Sequence, residues 1–433
     1  MSPKATIHTL GCRLNQADEA LIAGALTEAG FAMVPWGEPA DLIVINSCTV
    51  TGLAAQKTRQ AARSARRRNP GAYLVLAGCE VNAAASDWDP LTVVDQLIAN
   101  PDKMALVTKL PAAILPSPKS SCGTNRTVGG DGFVLSGTGY YQGKTRANLK
   151  IQEGCDGLCS YCIVPRARGA SRSRDWDDIL RETAALVRAG HKEVILTGVN
   201  IAKFASGSRR LPELVQALLK ETDHARFRLS STELCPELDD IIELMAEEPR
   251  VCRFLHLPIQ HGDDDILKAM NRPYSVAEFS AVIENACRRI PGVCLGTDII
   301  AGFPRETDTR FSRSQEAVTR LPFAFFHVFR YSQRPGTPAA DMPGQVPGEV
   351  IMARAKILAG VSKQKAAAFA QSQVGNVVDV LTENTNSRGL REGWTDNYLR
   401  VELTDKTIPR NAMLPVRLTE VIEGRHMRGT ASV

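Results

Sequence analysis

The run ANLKIQEGCDGLCSYCIVPRARG, residues 147–169, decides how this chain is read. It opens as a strand-like stretch and then places Cys155, Cys159 and Cys162 at C-x3-C-x2-C spacing on one short loop. Three thiolates so arranged can ligate three corners of a cubane iron–sulfur cluster and leave the fourth iron open to a small chelating ligand. A zinc loop is the competing reading, but zinc favours C-x2-C pairs and needs a fourth protein ligand that this loop does not supply.

Working outward, the same run is the first of a series. Strand-like ANLKIQ, EVILTG, RFRLSS, RFLHLP, CLGTDII and FAFFHVFRY alternate with helical patterns at 175–189, 211–221, 236–247, 263–270, 276–289 and 307–320. Six β/α units are fewer than the eight that close a complete barrel, so the pattern predicts a partial (β/α)6 barrel open enough to admit a macromolecule. Upstream, ATIHTL, DLIVIN and YLVLAG alternate with helical 17–30 and 53–68, which predicts an α/β domain with a parallel sheet. Residues 111–140, rich in Pro, Gly and Ser, read as a linker with room for a short hairpin. Downstream, four prolines and three glycines at 335–348 break the pattern, and an Ala-rich helix follows at about 349–373. The runs NVVDVLTE, YLRVELT and MLPVRLTEVI then predict a small all-β barrel.

A chain of 433 residues is expected to hold two or three domains. No run approaches the ~20 apolar residues of a membrane span, and the first residues lack the apolar core of a signal peptide. The expected location is the cytoplasm, with no membrane partner. Eleven cysteines in a reducing compartment do not read as a disulfide framework, and an odd number cannot all pair, so metal or redox chemistry leads. Three more of them matter. Cys12 (TLGC), Cys48 (INSC) and Cys79 (LAGC) each directly follow a predicted strand, and the carboxyl ends of parallel strands are where ligands collect. Small buried cysteines placed by chance would account for any one of these, but less well for three equivalent positions. Cys122, Cys235, Cys252, Cys287 and Cys294 have no ligand spacing and read as core thiols.

Taken together, TLGCRLNQADE, NSCTVT, AGCEVN, the C-x3-C-x2-C loop and the small terminal β-domain resemble the methylthiotransferase family of radical S-adenosylmethionine (SAM) enzymes. The resemblance implies a methylthiotransferase N-terminal domain at 1–115, a linker at 116–140, a radical SAM core at 141–373 and a TRAM domain at 374–433. It further implies two [4Fe–4S] clusters. One, on Cys155, Cys159 and Cys162, would chelate SAM and cleave it to a deoxyadenosyl radical. The auxiliary cluster, on Cys12, Cys48 and Cys79, would hold the sulfur to be transferred. Tyr161 matches the aromatic position near the adenine, although core packing would explain it equally. Thr197, Gly198, Asn200, Ser230, Ser231, Gln260 and Asp298 match cofactor positions at strand ends, where Ser and Thr can instead cap helices. His256 and His261 read as structural histidines. The family turn usually reads GFPGET; here Arg305 replaces its glycine.

An RNA partner rests on QKTRQAARSARRRNP (56–70), where Arg59, Arg63 and Arg66 fall at i, i+4, i+7 and Arg67 adjoins them; a solvated basic face is the bland alternative. Arg166, Arg168, Arg172 and Arg174 form a second basic cluster beside the loop. The tail from 371 carries eight basic and eight acidic residues, so RNA binding there rests on the resemblance, with Arg388, Arg391, Trp394 and Tyr398 as exposed-looking candidates. Within the family, NSCTVT, the basic helix and AGCEVN resemble the group that methylthiolates C2 of N6-threonylcarbamoyladenosine at position 37 of tRNA. The group acting on N6-isopentenyladenosine is the nearest competitor, and a third group modifies an aspartate of a ribosomal protein. The resemblance also implies an electron donor of flavodoxin or ferredoxin type. A reading of a different class is an iron–sulfur RNA-binding or redox-sensing protein, which would not need an open iron.

Overall fold

The computed structural model describes residues 2–83, 88–116, 133–135, 138–141 and 143–432. Its first unit is a parallel sheet of β1 (Lys4–Thr9), β2 (Ala32–Met33), β3 (Leu42–Ser47), β4 (Tyr73–Gly78) and β5 (Gln96–Ala99), in the order β2-β1-β3-β4-β5. Every residue of β3 is buried, as expected of a parallel strand covered on both faces. Helices α1 (Arg13–Glu28), α2 (Gly52–Arg68), α3 (Cys79–Asn82) and α4 (Leu106–Lys109) flank it. The Thr51 side chain caps α2 by accepting from the Ala54 N–H, and Ala55, Thr58, Ala62 and Ala65 form its buried face.

The second unit carries the predicted six parallel strands in two halves. One is ordered β10-β9-β6, from β6 (Arg146–Lys150), β9 (Glu193–Thr197) and β10 (Arg226–Leu229). The other is ordered β11-β12-β13, from β11 (Phe254–His256), β12 (Cys294–Ala301) and β13 (Phe325–Arg330). Among the described residues the halves are joined by an isolated bridge, Phe227 to Val251, and by the Thr232 N–H donating to the His256 carbonyl at 3.0 Å, while β6 and β13 do not pair, so the barrel is open. The run ANLKIQ does not continue as one strand. After Lys150 the chain turns into a separate two-residue β7 (Gln152–Glu153), antiparallel to β8 (Arg172–Ser173), and the cluster loop with α5 (Val164–Arg168) lies between them. The outer helices are α6 (Trp176–Arg188), α7 (Leu211–Glu221), α8 (Leu238–Glu247), α9 (Asp264–Ala269), α10 (Val276–Arg289) and α11 (Asp308–Arg320). Alternate strand residues such as Ala147, Leu149, Val194, Leu196, Phe227 and Leu229 pack beneath them. The residues between these, including Asn148, Ile195 and Arg228, therefore face the lumen.

Helix α12 (Gly348–Ser372) leads to a closed five-stranded barrel, β14-β15-β16-β18-β17, built from β14 (Val377–Thr385), β15 (Arg391–Thr395), β16 (Arg400–Leu403), β17 (Met413–Glu423) and β18 (His426–Ala431). Sequence reading finds three of these strands; β15 and β18 escape it because charged residues and glycines interrupt their alternation. Gly429 is required there, since a Cβ would sit 2.4 Å from Val416 Cγ1. This barrel docks on the lumen. Arg226 donates to the Trp394 carbonyl at 2.8 Å, Arg228 to the Asp396 and Thr395 carbonyls at 2.7 and 3.0 Å, and Arg253 pairs with Asp396 at 2.6 Å. The hairpin considered for the linker, and Cys122, lie outside the described residues. Among those described, no helix is long and apolar enough to cross a membrane.

Arg305 adopts the left-handed conformation its glycine-like position demands, with φ of 67°. Its N–H donates to Gly344 O at 2.7 Å and its carbonyl accepts from Arg310. The turn thus keeps its shape at a backbone cost of roughly 1–2 kcal/mol. Arg305→Gly is expected to raise unfolding stability by about 1 kcal/mol, offset in part by unfolded-state entropy, and a chemical denaturation midpoint measures it.

Candidate active site

The cluster loop is shaped before any ligand is considered. Gly154 has φ of 73°, and a Cβ there would lie 1.9 Å from the Ala170 carbonyl oxygen, so only glycine allows the loop to close on the residues after α5. Ser160 donates its hydroxyl to Ala269 O at 2.8 Å, and the Ala339 N–H reaches Ser160 O at 2.8 Å, which ties the loop to α9 and to the proline-rich segment. Each sulfur meets a donor: Gly157 N–H at 3.3 Å from Cys155 Sγ, Val164 N–H at 3.4 Å from Cys162 Sγ, and the Arg272 guanidinium at 3.2 Å from Cys159 Sγ. Burial and the neighbouring Cys159 and Cys155 sulfurs push the Cys162 thiol up to about 12, and burial raises Cys155 as well. A bound cation would reverse this, because a coordinating thiol is deprotonated outright.

The N-terminal sheet delivers the second set. Cys12 is the N-cap of α1, Cys48 follows β3, and Cys79 opens α3 after β4. Gly11, at φ of 97°, is obligatory because a Cβ would meet Cys48 Sγ at 2.6 Å. Burial pushes the Cys48 thiol up to about 11, with the adjacent Cys12 and Cys79 sulfurs adding to the effect. Asn100 Nδ2 lies 3.7 Å from Cys79 Sγ and also donates to Ala167 O in α5 at 3.1 Å, so one side chain touches both halves of the site.

Between the two thiol sets runs a buried ionic network. Asp18 pairs with Lys103 at 2.6 Å and Lys150 at 2.9 Å; Glu153 pairs with Arg168 at 2.6 Å and with Lys150; Arg168 also bonds Asn15. Burial alone would raise both carboxyls, but the cations outweigh it, holding Asp18 well below the carboxylate range and Glu153 at about 2. Arg168 faces Cys79 and Cys12 as well as the carboxylates, so a fixed positive charge stands beside the auxiliary thiols.

The cofactor positions fall into two groups. Gln152, absent from the sequence reading, accepts from the Val199 and Asn200 N–H groups at 2.9 Å, and its amide donates to Glu153 O, Gly154 O and Ser171 Oγ. It clamps the Gly198 turn to the start of the cluster loop. Thr197 bonds Ile195 O, and Asn200 caps a short turn through Ala202 N–H. Across the lumen, Ser231 Oγ meets His256 Nδ1 at 2.9 Å, and His256 Nε2 stands 3.3 Å from Asp298. Ser230 Oγ is buried without a partner, and Gln260 takes φ of 67° beside β12. Tyr161 packs edge-on to Phe303 with ring centroids 6.4 Å apart. His261 is structural, held between Glu306 Oε1 and the Asp263 N–H. Glu233 and Arg272, paired beside Cys159, are further site residues for which the spacing offered no signal.

Several basic and aromatic expectations are corrected. Arg66 bonds Val93, Pro70 and Ala72 carbonyls and pairs with Asp95, so the outward stripe of α2 is Arg59, Arg63 and Arg67, at i, i+4, i+8. Arg168 and Arg174 are buried in ion pairs and cannot meet a phosphate. Arg391 braces the Ile408 and Glu383 carbonyls, whereas Arg388 stays exposed while pairing with Glu402. Trp394 and Tyr398 stack on each other at 4.9 Å, and Tyr398 packs on Phe254 at 4.5 Å, so both rings serve domain docking instead of base stacking.

A family model described as the radical SAM superfamily matches residues 149–317, and one described as uncharacterized protein family UPF0004 matches residues 4–98. The threonylcarbamoyladenosine tRNA methylthiotransferase MtaB of Bacillus subtilis (strain 168) is 31% identical over 91% of this chain and 89% of its own length. The chain belongs to the radical SAM methylthiotransferase family. A tRNA-2-methylthio-N(6)-dimethylallyladenosine synthase of Erythrobacter litoralis is 31% identical over 89% of this chain and 87% of its own length. In fold, this methylthiotransferase resembles the radical SAM methyltransferase TsrM of Kitasatospora setae, with a TM-score of 0.55 at 14% identity over 78% of this chain and 75% of that one. The family uses SAM and two [4Fe–4S] clusters. The residues of this methylthiotransferase fit those groups: two sets of three neighbouring sulfurs, N–H donors at Cys155, Cys159 and Cys162, and buried Ser230 Oγ and Thr232 Oγ1 left without a partner after β10.

Asp18→Asn strands Lys103 and Lys150 without their shared carboxylate and is expected to cost about 3–5 kcal/mol. Because the folded-state values of Asp18 and Glu153 are depressed, their contribution is full above the ordinary carboxylate value of about 4 and declines as pH falls below it, that of Glu153 through about 2 and that of Asp18 at still lower pH. Denaturation across that window should show a smaller pH slope in Asp18→Asn than in the unaltered protein.

Proposed function

We propose that this methylthiotransferase installs a methylthio group at C2 of N6-threonylcarbamoyladenosine at position 37 of tRNA. The observation that carries the choice of base is similarity along nearly the whole chain to the B. subtilis threonylcarbamoyladenosine enzyme, at 31% identity. Similarity to the dimethylallyladenosine synthase supports isopentenyladenosine as the second reading.

In this reading Cys155, Cys159 and Cys162 hold the cluster that receives SAM, and Cys12, Cys48 and Cys79 hold the auxiliary cluster. When bound, these groups supply the reducing electron, the radical, the methyl group and the sulfur that an unactivated ring C–H requires. The protein's part is positional. Gln152 fixes the Gly198 turn against the cluster loop, and Arg272 orients Cys159. Thr197, Asn200, Ser230, Ser231, Gln260 and Asp298 offer polar contacts to the cofactor, with Tyr161 beside its adenine. Arg168 balances negative charge near Cys12 and Cys79. Arg59, Arg63 and Arg67 present a phosphate-binding stripe to the tRNA. The enzyme works in the cytoplasm with an electron donor of flavodoxin or ferredoxin type.

Replacing Cys155, Cys159 and Cys162 by Ala should abolish deoxyadenosine formation; its persistence would sink the mechanism. Replacing Cys12, Cys48 and Cys79 by Ala should leave about four irons per chain and stop methylthio transfer while deoxyadenosine is still formed. For the base, tRNA nucleosides from a strain lacking the gene are compared by mass spectrometry. Loss of the methylthio group from threonylcarbamoyladenosine supports the assignment, and loss from isopentenyladenosine overturns it.

A further inference from the structure

Where the first turns of α1, the lumen faces of β6 and β9 and the C-terminal barrel meet, the protein forms an open cleft of about 770 Å³ bordered by Arg13, Gln16, Asn148, Ile195 and Tyr398, among others. Arg13 directly follows Cys12 and is half-buried. Its guanidinium donates to the Tyr398 hydroxyl and lies 5.3 Å from the centre of that ring. Among the described residues no carboxylate pairs with it. Glu193 is engaged by Arg226 and Arg228, Glu383 by Arg146 and Glu392 by Arg400; Glu19, further along α1, borders the cleft but forms no ion pair. A cation withdrawn from bulk water without a counter-ion is complementary to an anionic ligand.

We propose that Arg13 is a specificity residue that reads the carboxylate carried by the N6 substituent of the tRNA base. This rests on the assignment of threonylcarbamoyladenosine above. The two candidate bases differ in that substituent: threonylcarbamoyl ends in a carboxylate and a hydroxyl, whereas isopentenyl is a hydrocarbon. A guanidinium receives a carboxylate through two parallel N–H···O bonds, and covering it with a hydrocarbon leaves its donors unpaired. The backbones of Arg13 and Cys12 are one Cα step, about 3.8 Å, apart. A base presented to the proposed sulfur site can therefore extend its N6 group toward the guanidinium. Tyr398 already holds that group in one orientation, so little side-chain freedom is lost when the ligand arrives.

The test is equilibrium binding of reconstituted enzyme to three anticodon stem-loops. They carry threonylcarbamoyladenosine, its carboxamide analogue of the same shape, and isopentenyladenosine. The unaltered enzyme should prefer carboxylate over carboxamide by about tenfold or more. Arg13→Met should bring that ratio close to one, and Arg13→Lys should keep part of it, while iron content and thermal midpoint report intact folding. If Arg13→Met loses iron, Arg13→Gln replaces it and is expected to lower the ratio in the same way. A carboxylate preference that survives the loss of the Arg13 charge overturns the inference and leaves the base assignment standing. An unaltered enzyme that shows no carboxylate preference and methylthiolates isopentenyladenosine overturns the assignment itself.

Discussion

The structure depends on one buried charge balance. Asp18, on a helix of the N-terminal domain, accepts Lys150 from the first strand of the radical core, and Lys150 and Arg168 share Glu153. Removing several charges from water is expensive, and mutual attraction offsets it only when every partner is present and fixed. The network therefore forms only if the two domains meet in one relative position. Asp18 and Lys103 form a neutral pair within the first domain, whereas Lys150, Glu153 and Arg168 of the second carry one excess positive charge that Asp18 meets across the boundary. Because Glu153 begins the cluster loop and Arg168 ends the helix after it, the geometry of Cys155, Cys159 and Cys162 is referred to the sheet that carries Cys12, Cys48 and Cys79.

Around this centre the chain gathers sulfur under conditions that disfavour free thiolates. Burial raises Cys48, Cys155 and Cys162, and neighbouring sulfurs of the same set add to each shift. Structural core thiols are also raised by burial, as at Cys252 and Cys294, so that shift does not mark a ligand. What separates the two classes is the company they keep. The proposed ligands sit in threes at loop and strand ends, where backbone N–H groups meet Cys155 and Cys162, whereas Cys252 and Cys294, although arginines lie near them too, are single thiols buried in the strand region of the core.

Most of the architecture was legible because hydrophobic period is a local property: β3 and β4, the six lumen strands and α12 lie where alternation and length put them. Features governed by tertiary partners were not. The phase of the basic stripe on α2 turned on whether Arg66 or Arg67 faced water, and Asp95, from another part of the sheet, decided it. Trp394 and Tyr398 looked like stacking platforms because nothing local reveals that a barrel will cover them. Gln152, Arg272 and Glu233 carry no motif. One local signal was available and went unused: a glycine precedes Cys12, Cys79 and Cys155, and all three adopt positive φ. Such a residue turns the chain sharply at a strand end and points the next side chain back toward the site.

The docking of the C-terminal barrel has a consequence for how the chain matures. Arg226 and Arg228 line the lumen early in the sequence, but the carbonyls of Trp394, Thr395 and Asp396 that satisfy them are made near its end. During vectorial synthesis Glu193 can already engage both guanidinium groups, but the donors that later reach those carbonyls must find water instead. The floor of the lumen is thus laid last, by the segment of chain made after the strands it closes.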